Sequence, residues 1–152
     1  MKNRKDTIKE IFEFHGPDAI YITPTGYISR EVYNMYPDNK NIYYMEGSMG
    51  IAPAIGIGIA ISTYKNVVVI NGDGAHLMHL GLTHTIRDLN LNNLFIHILD
   101  NGVYESVGGS KCSKLENSYP GIFKIWKISC DGKPLRVGEK FKIQNIKDFI
   151  KC

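Results

Sequence analysis

Short apolar runs alternate with longer segments of mixed polarity along this chain, and the alternation sets out its elements. The clearest runs are Val67-Val68-Val69-Ile70 and Leu94-Phe95-Ile96-His97-Ile98-Leu99, both rich in β-branched or aromatic residues. Each stops at a turn, Gly72-Asp73-Gly74 after the first and Asn101-Gly102 after the second. Residues 76–89 between them have the length and spacing of a helix, so the unit reads strand, helix, strand.

The upstream chain repeats the alternation. Asp6 is placed to cap a first helix with Ile8, Ile11, Phe12 and Phe14 on its apolar side, and Gly16-Pro17 ends it. A short strand follows at 19–22, then the polar turn Thr23-Pro24-Thr25-Gly26, then a helix at 29–36 that Pro37-Asp38 stops. A strand at 42–45 leads into the loop Gly47-Ser48-Met49-Gly50. Residues 51–63 read as a buried helix crowded with Gly and Ala, a composition that permits close packing on a sheet. A last short helix is expected at 145–150. The pattern predicts an α/β fold over residues 1–152, one domain with a parallel sheet covered by helices on both faces.

Composition narrows the possibilities without redirecting them. The 152 residues are 43% hydrophobic and 22% charged, ordinary for a soluble globular protein with a sizeable core. A net charge of +3, scattered along the chain, gives no reason to expect nucleic acid as a partner. The apolar stretch 51–61 is too short to span a bilayer, and the amino terminus lacks the apolar core of a signal peptide. Cys112, Cys130 and Cys152 are odd in number and widely spaced, as suits reduced thiols. Together these features lead to the expectation of a cytoplasmic protein.

Candidate chemistry lies in the turns. In a strand–helix–strand unit with parallel strands, the carboxyl ends lie side by side, so Asp73 and Asn101 are expected to face one crevice. Hard oxygen ligands from a few side chains, completed by phosphate, suit Mg²⁺. Backbone N–H groups of Gly74 and Ala75, at a helix start, suit a diphosphate. Two other motifs are set aside. Gly56-Ile57-Gly58 resembles the start of a dinucleotide fingerprint, but position 61 is Ile and the glycines lie inside a helix. His76, His79 and His84 lack a Cys or carboxylate at ligand spacing, so packing or solvent exposure is expected for them rather than zinc. His97, within its strand, is expected in the core or at an interface.

Gly-Asp-Gly, some two dozen intervening residues and then Asn resembles the metal-anchoring signature of the thiamine-diphosphate enzymes. The run Asp100-Asn101-Gly102-Val103-Tyr104-Glu105-Ser106-Val107-Gly108-Gly109 is similar to the form in phosphonopyruvate and sulfopyruvate decarboxylases. Thr25-Gly26 with Ser29-Arg30-Glu31, and Gly47-Ser48-Met49-Gly50, agree with it, so the resemblance covers roughly residues 20–110. It implies Mg²⁺ on Asp73, Asn101 and the Val103 carbonyl. It implies thiamine diphosphate against Gly72, Asp73, Gly74, Ala75, Asn101, Val103 and Tyr104, with Thr25 and Gly26 at the diphosphate. The Gly47 carbonyl would accept from the 4′-amino group, with Ser48 beside it and Met49 propping the cofactor in its bent shape. Glu105, Ser106, Gly108, Gly109 and Lys111 would form a substrate loop for an anionic tail.

The resemblance also implies what is missing. The glutamate that activates the cofactor sits on a separate pyrimidine-binding domain, and no segment before Gly47 is long enough to be one. The chain is therefore expected to work with a pyrimidine-binding α subunit, in an α2β2 or larger assembly. After Gly109 the family has Gln-Pro-Thr where this chain has Ser110-Lys111-Cys112. The family's final strand is not recognised in the remaining residues, which leaves divergence or truncation of the terminal region. The leading expectation is decarboxylation of an anionic 2-oxoacid, phosphonopyruvate first and sulfopyruvate second. A carboligase or oxidoreductase subunit and a non-catalytic remnant are the other readings.

Overall fold

The structure is a computed structural model and describes residues 1–115 and 121–137. Its elements, in chain order, are α1 (Arg4–His15), β1 (Ile20–Thr23), α2 (Tyr27–Met35), β2 (Ile42–Tyr44), α3 (Ala52–Ile61), β3 (Val67–Gly72), α4 (Asp73–Met78), α5 (Leu82–Leu89), β4 (Leu94–Asp100) and β5 (Phe123–Lys127). A single 3-10 turn, Glu105–Val107, follows β4. The strands form one parallel sheet in the order β2-β1-β3-β4-β5.

Alternate residues of β3 feed two cores. Val67 and Val69 pack with Ala52, Ile59 and Ala60 of α3 and Ile86 of α5. Val68 and Ile70 point the other way, to Ile8, Ile11 and Phe12 of α1 and Val32 of α2. Both sheet faces are therefore apolar and helix-covered, which is why the central strands read as unbroken hydrophobic runs. The small residues of α3 do allow close approach: a Cβ built on Gly56 would lie 2.5 Å from Val69 Cγ2.

Local sequence rules were overridden at several points. Asn3, not Asp6, caps α1; its Oδ1 accepts the Asp6 N–H at 2.7 Å. Phe14 is 79% exposed and off the apolar face. The helix expected at 29–36 begins at Tyr27 behind Gly26, whose φ of 94° suits only glycine comfortably. The helix expected at 76–89 is two helices, α4 beginning at Asp73 and the chain breaking at 79–81, where His79 leaves helical dihedrals ahead of Gly81.

The largest correction is β5, a strand after β4 that the sequence reading did not recognise. Its run Phe123-Lys124-Ile125-Trp126-Lys127 mixes apolar residues with two lysines, the composition of an edge strand. The far edge of β5 is partly covered, because Lys2 pairs with Ile128 in a parallel bridge and Ser129 N–H donates to Lys2 O at 3.0 Å. The helix expected at 145–150 lies outside the described residues. Among the described residues no helix is long and apolar enough to cross a membrane.

Candidate functional site

Strand order places the site. The chain leaves β1 to one side for β2 and returns on the other side as β3, so the crevice beyond the carboxyl ends of β1 and β3 is a topological switch point. Thr23 ends β1, Gly72 ends β3 and Asp100 ends β4. The residues just after these ends converge on one cleft. Thr25 comes from the first turn, Met49 from the loop before α3, and Gly72 to Ala75 from the start of α4. Asn101, Val103, Tyr104, Glu105 and Ser106 come from the segment after β4.

Hydrogen bonds hold the two key turns together. Asp73 Oδ1 accepts the Gly74 N–H at 2.8 Å, and Oδ2 accepts the Gly102 N–H at 2.8 Å. The same Gly102 N–H lies 3.1 Å from Asp100 Oδ1. Two buried carboxylates thus meet at one donor, Asp73 5% and Asp100 6% exposed. Burial pushes the Asp73 carboxyl up from its ordinary range, the N–H bonds from Gly74 and Gly102 pull it back, and neighbouring Asp100 adds to the rise. Lys127 pairs with the outer oxygen of Asp100. Asn101 Oδ1 accepts the Val103 N–H at 3.1 Å, and the Val103 carbonyl accepts the Glu105 N–H at 2.9 Å.

The donor set fits a hard divalent cation. Each Asp73 oxygen takes one N–H and keeps acceptor capacity, as do Asn101 Oδ1 and the Val103 carbonyl. It is a set of one carboxylate and two neutral oxygens; among the described residues no group of three or more His, Cys, Asp or Glu side chains could hold a metal ion. Gly74 is required by its surroundings: a Cβ there would lie 2.4 Å from the Tyr104 ring and 3.4 Å from the Met49 methyl. The Gly74 N–H is committed to Asp73, so a diphosphate would reach it only by displacing that bond.

Other sequence-predicted residues lie elsewhere. Gly26 and Gly47 line a neighbouring cleft that shares Thr25 with the first and includes Arg30. Ser48 is half-buried in the loop and lines neither cleft. Residues 102–112 fold back on themselves, with Val103 and Lys111 in an antiparallel bridge and the Cys112 N–H donating to Gly102 O at 2.8 Å. That fold leaves Gly108, Gly109 and Lys111 exposed and outside the cleft. His76 is buried against Phe123, His79 and His84 are exposed, and His97 is in the core.

Sequence reading missed three residues of the site. Arg4 lines the cleft from the amino-terminal segment, 3% exposed. Tyr27 lines it from α2, and Asp100 lies directly behind Asp73. An acid at a strand end beside Asn101 was a readable signal for Asp100. Nothing local marks Arg4.

Comparison with known proteins agrees with this geometry. Residues 24–133 match the thiamine pyrophosphate enzyme, C-terminal TPP binding domain, family. The chain is 40% identical over 115 residues to the sulfopyruvate decarboxylase subunit beta of Methanocaldococcus jannaschii, covering 76% of this chain and 61% of that protein. It is 43% identical over 106 residues to the phosphonopyruvate decarboxylase of Streptomyces hygroscopicus, covering 70% of this chain and 26% of that protein. A third relative, the sulfopyruvate decarboxylase subunit beta of Methanothermobacter thermautotrophicus, is 43% identical over 96 residues, 63% of this chain and 51% of its own length. The chain thus spans less than two thirds of each of these relatives. The matched span begins just after β1, takes in β2 to β5, and includes the Asp73–Asn101 cleft; the chain belongs to the thiamine pyrophosphate enzymes, as their C-terminal, TPP-binding domain.

Proposed function

We propose that this chain is the diphosphate-binding part of a Mg²⁺- and thiamine-diphosphate-dependent decarboxylase acting on an anionic 3-substituted pyruvate. The observation that carries the reading is the hydrogen bond between Asp73 and the Gly102 N–H, which ties the Gly-Asp-Gly turn to the Asn101 turn across the switch-point crevice. Phosphonopyruvate, giving phosphonoacetaldehyde, is the first substrate assigned, on the wording of residues 100–109. Sulfopyruvate is the second reading, favoured by relatives named as sulfopyruvate decarboxylase β subunits.

In this reading Asp73, Asn101 Oδ1 and the Val103 carbonyl would hold Mg²⁺, whose charge would offset that of the diphosphate, and the Ala75 N–H would donate to the diphosphate. Met49 and the Tyr104 ring flank Gly74 and set the shape of the cleft floor. The Gly47 carbonyl would accept from the aminopyrimidine, and Thr25, which lines both clefts, would contact the diphosphate. When bound, thiamine diphosphate supplies the electron sink that decarboxylation of a 2-oxoacid needs. This chain's task is to bind and orient. The activating glutamate is assigned to a pyrimidine-binding α partner, in an α2β2 or larger assembly working in the cytoplasm.

Calorimetry with thiamine diphosphate, with and without Mg²⁺, tests the binding half. Mg²⁺-dependent binding is expected, and no binding with or without the partner would overturn the proposal. Aldehyde release from phosphonopyruvate and from sulfopyruvate, measured with the partner present, separates the two substrate readings. Product formed only from pyruvate plus an acceptor aldehyde would replace both with a carboligase.

A further inference from the structure

We propose that Glu105 is a positioning residue for Asn101, rather than a substrate-loop residue, and that Arg4 locks it in place. The inference rests on the reading above that Asn101 Oδ1 is a Mg²⁺ ligand. A carboxamide presents two ends of nearly equal size, and only the oxygen end can ligate a cation. A site that uses Asn therefore needs a neighbour that distinguishes them.

Glu105 is that neighbour. Its Oε2 accepts from Asn101 Nδ2 at 2.9 Å. An ionised carboxylate only accepts, so it takes the NH2 end and leaves Oδ1 on the other side, with the Val103 N–H at 3.1 Å. Were the amide reversed, Nδ2 would face the Val103 N–H donor and present protons to the cation. The amide orientation follows from this network.

Glu105 is itself immobilised from both sides. Oε1 accepts the Gly132 N–H at 2.7 Å, and Oε2 also receives Arg4 Nη1 at 3.1 Å. Arg4 donates through Nη2 to Gly132 O at 2.8 Å, lies 3.6 Å from Glu31 Oε2, and sits over the Tyr27 ring at 5.7 Å. Donors from positions 4, 101 and 132 occupy this carboxylate. Its negative charge would also repel the anionic tail that a substrate-loop role requires it to meet. The loop's acid thus faces inward, to the metal turn. Outer-shell partners of metal ligands cost about 10–100-fold in metal affinity when removed.

A double-mutant cycle on the full chain tests this, with Mg²⁺ titrated calorimetrically at saturating thiamine diphosphate. Glu105→Gln is expected to weaken Mg²⁺ binding about tenfold or more. In an Asn101→Ala background, the same change is expected to cost less than about twofold further, because Glu105 acts through Asn101. Losses that add in the double variant would overturn the proposal. A second readout needs no metal: the Asn101 side-chain amide signal in a ¹⁵N–¹H spectrum, assigned by its loss in Asn101→Ala. It is expected to shift in both Glu105→Gln and Arg4→Gln, and an unmoved signal overturns the positioning role even where a variant is less stable. Absence of Mg²⁺-dependent binding in the wild-type chain, with the partner as well as without it, overturns the proposed function and, with it, the metal role of Asn101. Wild-type binding that Glu105→Gln leaves within about twofold overturns the positioning role alone.

Discussion

The Nε2 atoms of His15 and His97 lie 2.8 Å apart, joining the end of α1 to the middle of β4. Trp126 Nε1–H donates to His97 Nδ1 at 3.0 Å, so His97 carries its proton on Nε2 and donates it to His15. Both rings are held neutral. Burial, then His15 and Lys124, push His97 down to about 3; burial and Lys124 lower His15, and burial alone lowers His76 to about 4. These groups bind protons more readily unfolded than folded. Their contribution to stability is complete above the ordinary histidine range near pH 6.5 and is lost as pH falls from there toward the folded values. The unfolding free energy from urea titrations is expected to drop between pH 6.5 and 4.5, at about 1.4 kcal/mol per pH unit for each proton taken up. His97→Leu is expected to flatten that slope by about one proton.

Asp73 runs in the opposite sense. Its carboxyl is raised, so its ionised form weakens the ligand-free fold above the unfolded pKa, and acidification relieves that penalty. Protons then compete with Mg²⁺ for the same oxygens. Mg²⁺ affinity is expected to fall as pH drops toward the folded Asp73 pKa. Asp73→Ala is expected to remove the Mg²⁺-dependent rise in Tm altogether; a rise equal to wild type would refute the ligand assignment.

Two glycines of α3 give opposite expectations. A Cβ on Gly56 meets Val69 Cγ2 at 2.5 Å, whereas among the described residues one on Gly58 meets nothing within 4 Å. Gly56→Ala is expected to destabilise by about 1–3 kcal/mol through overpacking against the sheet. Gly58→Ala is expected to stabilise by about 0.5–1 kcal/mol, because alanine is the better helix former and its methyl is accommodated. Denaturant midpoints at fixed m-value decide both.

Asn71 is fully buried on β3, and among the described residues neither its Oδ1 nor its Nδ2 has a hydrogen-bond partner. Asn71→Val, β-branched and apolar, is expected to raise the stability of the ligand-free chain by about 1–2 kcal/mol. A lower Tm would mean that the amide has a role the fold depends on.

How much of this was legible depended on how local each signal was. Val67–Gly72 and Leu94–Asp100 announced themselves as strands because a buried parallel strand is apolar on both faces. The Asp73 and Asn101 turns were readable because a glycine stands beside each hard ligand. β5 is short and breaks its apolar residues with Lys124 and Lys127, which leaves only a weak strand signal. The hydrogen bonds of Glu105 were not legible, because its partners Arg4 and Gly132 are brought to it by tertiary contacts across most of the chain. Residue type suggested a loop acid; the pairing that turns it inward exists only in the folded molecule.

The pairing of Lys2 with Ile128 and of Arg4 with Gly132 has a kinetic consequence. During synthesis the first helix and the central strands emerge long before their last partner does. One wall of the cleft must wait for residues made more than a hundred positions later, so it closes late and cannot form while the nascent chain is still short of β5.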